Sequence, residues 1–229
     1  MAKRNKRKFE EERQEKAQPI VAQTQSQKEY LKALQNKTLV VPAGAAGTGK
    51  SFIMASHAAN RLVKGEVENV VLARPYVTMG KSVGMFPGTI NDKLEPFVKP
   101  MLEVFRKRLG DNDFECRVRT GRISIQPLEA IRGMSFENCI LLVDEAQNTT
   151  PEEVRAIVTR IGENCQLVFC GDPAQSDIKG ENGIDFLTRI IEDHGVDDAE
   201  VIHFKPEDIV RSGITKQFVQ IFDKLGGDI

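Results

Sequence analysis

The sequence predicts an α/β fold in which a mostly parallel sheet is covered by helices on both faces. Short apolar segments with strand character recur along the chain, and segments with helical periodicity fill most of the gaps between them. Strands are predicted at 39–42, 70–75, 140–145, 167–172 and 201–204. Because 229 residues hold one large domain but not two full-sized α/β domains, we expect a single domain over residues 23–229.

The first 22 residues are predicted to form a charged, flexible arm, because they are rich in Gln and lack apolar periodicity. Residues 1–16 contain seven Lys or Arg and four Glu, a net charge of +3. The whole chain has a net charge of −1, so the rest carries −4 and nucleic-acid contacts must come from local patches. The basic arm is either such a contact or a solvating tail. A short helix is predicted next, over 24–36.

The stretch GAAGTGKS follows the first predicted strand and opens a helix. It comprises Gly44, Ala45, Ala46, Gly47, Thr48, Gly49, Lys50 and Ser51. Backbone N–H groups of such a loop surround the β-phosphate of a nucleotide, while Lys50 reaches the terminal phosphates and Ser51 is a ligand of Mg²⁺. The stretch therefore predicts a Walker A loop that binds ATP and Mg²⁺, and a glycine-rich turn without a ligand is the alternative.

Two later strands end in polar residues that suit the chemistry of this loop. The apolar run from Cys139 closes on Asp144 and Glu145, as in a buried parallel strand whose carboxyl end reaches a site. Asp144 suits the magnesium site and Glu145 suits the general base that activates water. Gln175, after the strand at 167–172, is a candidate sensor of the γ-phosphate. A strand that ends in acidic residues and a surface glutamine in a turn are the alternatives.

The order of these strands predicts a RecA-like P-loop core. Another strand, 70–75, separates the Walker A strand from the carboxylate strand, and the strand with the candidate sensor comes after both. We expect the Walker A strand near the centre of the sheet, between the strands at 167–172 and 201–204. The added glutamate after Asp144 disfavours a small-molecule kinase. One helix start is well marked, by Thr150 as the N-cap, Pro151 in the first turn and Glu153 in a capping box.

A long insertion, 76–138, separates the second and third of these strands. Within it, Arg117 and Arg119 precede Thr120-Gly121, and Arg122 begins the apolar segment that follows. This pattern predicts a β-hairpin with Arg117 and Arg119 on one face. A basic ribbon on such a core is a candidate nucleic-acid contact, and a solvated strand face is the alternative.

Composition limits the remaining possibilities. The four cysteines show no metal-ligand spacing and suit a reducing cytosol. No apolar run approaches transmembrane length and no signal core is present, so we expect a soluble, cytoplasmic protein without membrane contact. With two Tyr and no Trp, the chain offers few aromatic platforms for stacking bases of a single strand.

Taken together, the motifs resemble those of the PhoH-like family of ATPases, which are related to superfamily 1 helicases. The similarity runs from about Thr24 to Phe218. It rests on Thr24, Gln27-Lys28-Glu29-Tyr30, GAAGTGKS, Ala73-Arg74-Pro75, Gly84-Met85-Phe86-Pro87-Gly88 with Lys93 and Pro96, Pro127-Leu128, Arg132-Gly133, Asp144-Glu145-Ala146-Gln147-Asn148, Gly171-Asp172-Pro173-Ala174-Gln175, and Asp208-Ile209-Val210-Arg211. The combination is far more specific than any single motif.

The resemblance implies ATP hydrolysis, binding of RNA or single-stranded DNA and a ring of identical subunits, with a hexamer as one option. By position, Gln27 reads adenine, Arg211 is an arginine finger, and Arg132 joins the nucleic-acid candidates. The chain departs from the family at Met134 and Ser212, where the family commonly has Arg and His. A cis role for Arg211 would require the chain to fold back over its own nucleotide, so we expect a neighbouring subunit to supply it. A salt bridge of Arg211 with Glu207 or Asp208 is the alternative.

The sequence therefore predicts a magnesium-dependent ATPase coupled to single-stranded RNA or DNA, with helicase-like action as one form of that coupling. The alternative is a nucleotide-switched assembly factor with weak hydrolysis.

Overall fold

The computed structural model describes residues 17–75 and 90–210, together with positions 213, 214, 217, 218 and 221. The helices in this part are α1 (Gln25–Asn36), α2 (Lys50–Lys64), α3 (Ile90–Leu109), α4 (Asp111–Arg119), α5 (Leu128–Ile131), α6 (Pro151–Val158) and α7 (Gly183–His194). The strands are β1 (Leu39–Gly44), β2 (Asn69–Arg74), β3 (Ile123–Pro127), β4 (Cys139–Val143), β5 (Gln166–Phe169) and β6 (Ala199–Phe204). The five predicted strands all exist, and none of their ends is shifted by more than three residues.

The sheet is parallel throughout these six described strands, in the order β3-β2-β4-β5-β1-β6. Strand β1, which leads into the glycine-rich loop, pairs with β5 on one side and β6 on the other. The expected neighbours of the Walker A strand are therefore confirmed, but its expected position near the centre is wrong, because β1 is the fifth of the six described strands and lies next to the edge strand β6. Since all strands run the same way, the segments that follow β1, β2, β4 and β5 emerge at one edge of the sheet.

Helices cover both faces of the sheet, as predicted. On one face α1 to α4 bury a core that contains Tyr30, Met54 and Phe105. On the other face α5 to α7 bury a second core, which includes Ile131 and Ile157. The sheet is thus the middle layer of three, and its strands are apolar on both sides.

The insertion differs from its prediction, because the expected hairpin is absent from its described part. Residues 111–119 form helix α4, and Arg117 and Arg119 lie in its last turn rather than on a strand face. Thr120 and Gly121 end this helix, with Gly121 at a φ of 73°. The strand that follows, β3, pairs with β2 in parallel. It therefore does not form a hairpin with residues 111–119.

Other predictions lie at the ends of the described chain. Of the expected arm, residues 17–22 lie against the domain: the Gln18 carbonyl accepts hydrogen bonds from Asn60 (2.7 Å) and Arg108 (2.8 Å). Residues 1–16, Gly84-Met85-Phe86-Pro87-Gly88, Arg211 and Ser212 lie outside the described residues. The start of α6 is as predicted, with Thr150 and Glu153 in a reciprocal capping box. No helix in the described ranges is long and apolar enough to span a membrane.

Candidate nucleotide-binding site

The glycine-rich loop connects β1 to α2 and depends on glycine at several positions. Gly44, Gly47 and Gly49 all have positive φ, at 123°, 80° and 86°. At Gly44 a side chain would also collide with the carbonyl oxygen of Phe204 in β6. Gly44 therefore passes so close to β6 that only glycine fits there, and the positive φ at Gly47 and Gly49 favours glycine at those positions as well.

Lys50 lies inside the curve of this loop, at the first position of α2. Its Nζ donates to the carbonyl oxygens of Gly44 (2.5 Å) and Ala45 (2.7 Å), and the residue is only 7% exposed. Among the described residues, no carboxylate lies within ion-pair distance of this buried ammonium, and the carbonyl oxygens that hold it do not neutralise its charge. A phosphate bound in the loop would supply that charge.

The amino-terminal helix α1 braces the loop from the side of β6. The amide nitrogen of Gln27 donates to the Thr48 carbonyl (2.8 Å), and its oxygen accepts from the N–H of Gln23 (2.7 Å). Both ends of this buried amide are therefore used within the protein. The structure links Gln27 to the phosphate loop, and the reading of adenine by Gln27 stays a prediction.

Ser51 and Asp144 form the part of the cleft that suits magnesium. The Ser51 hydroxyl donates to Asp144 Oδ1 at 3.0 Å. Mg²⁺ prefers oxygen ligands and usually keeps several waters, so one hydroxyl and one carboxylate beside a phosphate loop fit this ion. No group of three or more His, Cys, Asp or Glu side chains suits a metal in the described chain, so the described residues alone offer no closed cage.

Burial controls the charge of Asp144. It raises the pKa of the Asp144 carboxyl above its ordinary value, and the neighbouring Glu145 carboxylate raises it further. Arg74 and the Ser51 hydroxyl act in the opposite direction and favour the charged form. A bound cation would have the same effect as Arg74.

Glu145 follows Asp144 at the end of β4 and has an unusual backbone. Its φ is 54°, in the left-handed region that non-glycine residues seldom adopt. The turn aims its side chain into the cleft, where Oε2 accepts from Gln147 Nε2 at 2.6 Å. The Glu145 side chain remains 37% exposed, so water can reach its carboxylate. This placement fits the predicted general base.

Two polar residues that the sequence analysis left without a role organise the same turn. Gln147 is 1% exposed and also accepts from the N–H of Asp172 (3.2 Å), which ties the end of β4 to the end of β5. Asp172 accepts from the N–H of Ala46 (3.2 Å) and from Gln175 Nε2 (2.9 Å). Gln175 lines the cleft, so the structure brings the candidate sensor to the phosphate loop.

These groups line one cleft of about 390 Å³ at the carboxyl edge of the sheet. The lining includes Lys50, Ser51, Asp144, Glu145, Gln175, Cys170 and Val210. A larger cavity, about 960 Å³, lies around His57 at the opposite edge. We assign the site to the smaller cleft because it alone of the two contains the phosphate loop and the paired carboxylates. The volume of a cavity alone does not identify what the cavity binds.

The residue before Arg211 also reaches this cleft. The N–H of Val210 donates to the Gly47 carbonyl at 3.2 Å. Just before it, Asp208 accepts from the Ser26 hydroxyl (2.7 Å), which fixes the segment to α1. The chain therefore does fold back onto its own phosphate loop, and the spacing argument against a cis role for Arg211 is wrong. Arg211 itself lies outside the described residues.

The candidate nucleic-acid residues fall into two groups on opposite edges. Arg119 and Arg122 are exposed beside the amino end of β3, and Arg117 pairs with Asp113 at 3.0 Å. All three precede β3, so they lie at the edge away from the nucleotide cleft. Arg132 follows the carboxyl end of β3 and pairs with Glu153 at 3.0 Å. Of these four, Arg132 is the one that shares an edge with the phosphate loop.

Comparison with known proteins assigns a family. Residues 19–223 match the family model described as PhoH-like protein. The chain is 31% identical to the PhoH-like protein of Bacillus subtilis over 233 residues, covering 98% of this chain and 72% of the relative. It is 34% identical to Protein PhoH of Escherichia coli (strain K12) over 209 residues, or 89% of this chain and 58% of that protein.

Solved structures support the fold. The large terminase from a thermophilic bacteriophage, in complex with ADP, matches with a TM-score of 0.52 and 15% identity. The match covers 86% of this chain and 49% of the terminase. Another crystal form of that terminase gives a TM-score of 0.53 at 16% identity, over 89% and 50% of the two chains. At such low identity the likeness concerns the fold alone.

Proposed function

The chain belongs to the PhoH-like protein family, and on that premise we propose that it is a magnesium-dependent ATPase coupled to the binding or remodelling of single-stranded RNA or DNA. The observation that carries the proposal is the meeting of Lys50, Ser51, Asp144 and Glu145 in one cleft. Each has the chemistry that hydrolysis of a phosphate anhydride requires.

In the proposed reaction the loop from Gly44 to Ser51 binds the β- and γ-phosphates through its backbone N–H groups. Lys50 moves from the loop carbonyls to the phosphates. Ser51 and Asp144 hold Mg²⁺, which when bound neutralises charge on those phosphates. Glu145 accepts a proton from water as the water oxygen bonds to the γ-phosphorus. The bond from that phosphorus to the bridging oxygen breaks, and ADP and phosphate leave.

Gln175 has the role of γ-phosphate sensor in this proposal. Its amide reaches Asp172, which in turn accepts from the N–H of Ala46 in the phosphate loop. A change in the loop on nucleotide binding would therefore reach Gln175 through the carboxylate of Asp172. Gln27, on the other side of the loop, is proposed to read the base.

Coupling to nucleic acid is supported by the family resemblance and by the position of Arg132. This residue lies on the edge of the sheet that also carries the nucleotide cleft, so a strand bound there can affect the catalytic groups. Helicase-like movement of a strand is the finer form of this proposal. We place the activity in the cytoplasm, where ATP and RNA are both available.

We further propose a homo-oligomeric ring in which Arg211 serves the nucleotide of a neighbouring subunit. The support for this arrangement is the family resemblance, which implies a ring of identical subunits. Val210, the described residue before position 211, lies at the phosphate loop, where its N–H donates to the Gly47 carbonyl at 3.2 Å.

The test of the proposed function is the steady-state rate of ATP hydrolysis with Mg²⁺, with and without single-stranded RNA or DNA. We expect hydrolysis that requires Mg²⁺ and rises when a strand is added. Slow hydrolysis that no strand stimulates would favour the alternative, a nucleotide-switched assembly factor. Absence of ATP binding would overturn both.

A further inference from the structure

Arg74, the last residue of β2, makes contacts that none of the proposed roles uses. Its two terminal nitrogens point to different carboxylates: Nη1 lies 3.5 Å from Asp144 Oδ2, and Nη2 lies 3.5 Å from Glu145 Oε1. Only 20% of the Arg74 side chain is exposed, so solvent screens these pairs less than it would screen pairs on the surface. One guanidinium therefore bridges the proposed metal ligand and the proposed base.

The same guanidinium is held from the other side by helix α3. Nη1 of Arg74 donates to the backbone carbonyl of Phe97 at 3.2 Å. Its Cζ lies 5.4 Å from the centre of the Phe97 ring, in the geometry of a cation–π contact. Phe97 thus fixes both the position and the plane of the Arg74 guanidinium, which pairs with the two carboxylates.

Phe97 lies in a weak turn of its helix. Pro96 and Pro100 are both inside α3, four residues apart. Because proline has no N–H, the helix cannot make the bonds that would run to the carbonyls of residues 92 and 96. Beyond this turn α3 is firmly packed, with Met101 and Phe105 buried in the core. Val98, in the same turn as Phe97, is also fully buried, so the turn is anchored in the core. The missing bonds lower the cost of a small shift of the backbone at Phe97, which is 36% exposed.

We propose that Arg74 is the positioning residue for Asp144 and Glu145, and that it links their geometry to the proline-bounded turn of α3 at Phe97. The inference rests on the proposed ATPase function and goes beyond it. Two adjacent carboxylates repel each other, and a planar fork that bonds one with each arm sets their separation. Movement of the Phe97 turn then changes the alignment of base and metal ligand without a contact to ATP.

The kinetic test compares the wild-type chain with Arg74→Ala, Arg74→Lys and Phe97→Ala. For Arg74→Ala and Phe97→Ala we expect kcat to fall by about tenfold or more, since small misplacements of catalytic groups are costly, while KM for ATP changes less than about twofold. Arg74→Lys should not restore kcat, because an ammonium cannot bridge both carboxylates in one plane. Phe97→Tyr keeps the ring and should stay near wild type.

The double variant Arg74→Ala with Phe97→Ala distinguishes a link from two separate effects. If Phe97 acts through Arg74, the double variant loses no more activity than Arg74→Ala alone. Arg155→Ala is the matched control, because Arg155 also stacks on a phenylalanine ring, that of Phe186 at 5.0 Å, away from the cleft. It should leave kcat and KM unchanged. Losses that multiply in the double variant would overturn the proposal.

A second readout is independent of turnover. The chain contains no Trp, so Phe97→Trp introduces a single indole beside Arg74. We expect its fluorescence to change on addition of Mg²⁺ and a non-hydrolysable ATP analogue, and the change to be absent when Arg74→Ala is added. A change that persists without Arg74, or none in either protein while the analogue binds, would refute the link.

The two proposals fail in different ways. If the wild-type chain neither binds nor hydrolyses ATP, the proposed function is wrong and this inference falls with it. If the wild-type chain hydrolyses ATP and Arg74→Ala keeps its kcat, only the inference is wrong.

Discussion

Glu145 illustrates how much of this site is decided at single residues. Its left-handed backbone costs on the order of 1 to 3 kcal/mol and persists only where the surroundings impose it. Here the surroundings are Gln147 and Arg74, which hold the two carboxylate oxygens. The strained turn aims the carboxylate of Glu145, the proposed base, into the cleft beside the phosphate loop, which is a reason for a protein to retain it.

His57 offers a prediction about pH at this scale. Its Nε2 lies 2.9 Å from Gln166 Oε1, and burial lowers the pKa of His57 from 6.5 to about 4. The folded state therefore takes up fewer protons than the unfolded state below pH 6.5. The contribution of neutral His57 to the free energy of unfolding is therefore fully present above pH 6.5, and it is lost as the pH falls toward 4.

We predict that the free energy of unfolding drops by about 2 kcal/mol more in the wild type than in His57→Gln between pH 7 and pH 5. Urea denaturation at the two pH values measures this difference. His203→Gln, at an exposed histidine, is the control and should change like the wild type. Equal drops in the wild type and His57→Gln would show that His57 does not carry the effect.

Sequence patterns identified those catalytic candidates that stand in short contiguous motifs. Lys50, Asp144 and Glu145 stand in short motifs whose chemistry is readable from spacing alone, and the structure brings them together. Gln147 and Arg74 were quoted within motifs but given no role, because their partners come from other strands and a helix. A charged residue at the carboxyl end of β2 was the available signal for Arg74.

At the scale of elements, α4 shows where the pattern was ambiguous. Thr120-Gly121 between two Arg-containing segments reads as a hairpin turn, but it ends a helix. The helix signal was present: Asp111 and Asp113 lie in the first turn and Arg117 and Arg119 in the last, matching the helix dipole. Parallel pairing of β3 with β2 depends on contacts distant in sequence, which local alternation cannot reveal.

The separation of the basic residues between two edges gives a prediction. We expect Arg132→Ala to lower the salt slope of single-strand binding by about one and to reduce stimulation of hydrolysis, since Arg132 shares an edge with the cleft. Replacing Arg117, Arg119 and Arg122 by Ala should weaken binding and flatten the slope further, with less effect on stimulation. Filter binding over a salt series, with ATPase assays in parallel, measures both.

Two results would contradict these predictions on the basic residues. If the triple variant keeps its affinity for single strands and its salt slope, then Arg117, Arg119 and Arg122 form a solvated surface and not a nucleic-acid contact. Unchanged stimulation in Arg132→Ala would remove the proposed strand contact from the catalytic edge.

At the scale of the whole molecule, the fold was predictable to a large extent because strand order and motif order agree. The phosphate loop follows β1, the carboxylates follow β4 and the sensor candidate follows β5, and together they place the cleft at one edge of the sheet. The return of the chain from β6 to the phosphate loop was not predictable. It depends on Asp208 pairing with Ser26, 182 residues apart.

The ring proposal leads to a complementation test. Lys50→Ala and Arg211→Ala subunits are each expected to be inactive. Mixed together, they create interfaces where an intact phosphate loop meets an intact arginine, so we predict recovery of ATPase activity. An arginine supplied in trans contributes roughly 10³ to 10⁵ in turnover, which makes even partial recovery visible. No recovery, with a monomeric mass by light scattering under ATP, would contradict the ring.

We propose that this cleft binds ATP on the phosphate loop and hydrolyses it with Glu145 as the base. The most direct test of this proposal is ATP affinity and turnover measured side by side in the wild type, Glu145→Gln and Lys50→Ala, with the exposed Glu152→Gln as control. We expect Glu145→Gln to bind ATP normally but to lose turnover by on the order of 10²-fold or more, whereas Lys50→Ala also loses tight binding. Near-normal turnover in Glu145→Gln would contradict the proposal.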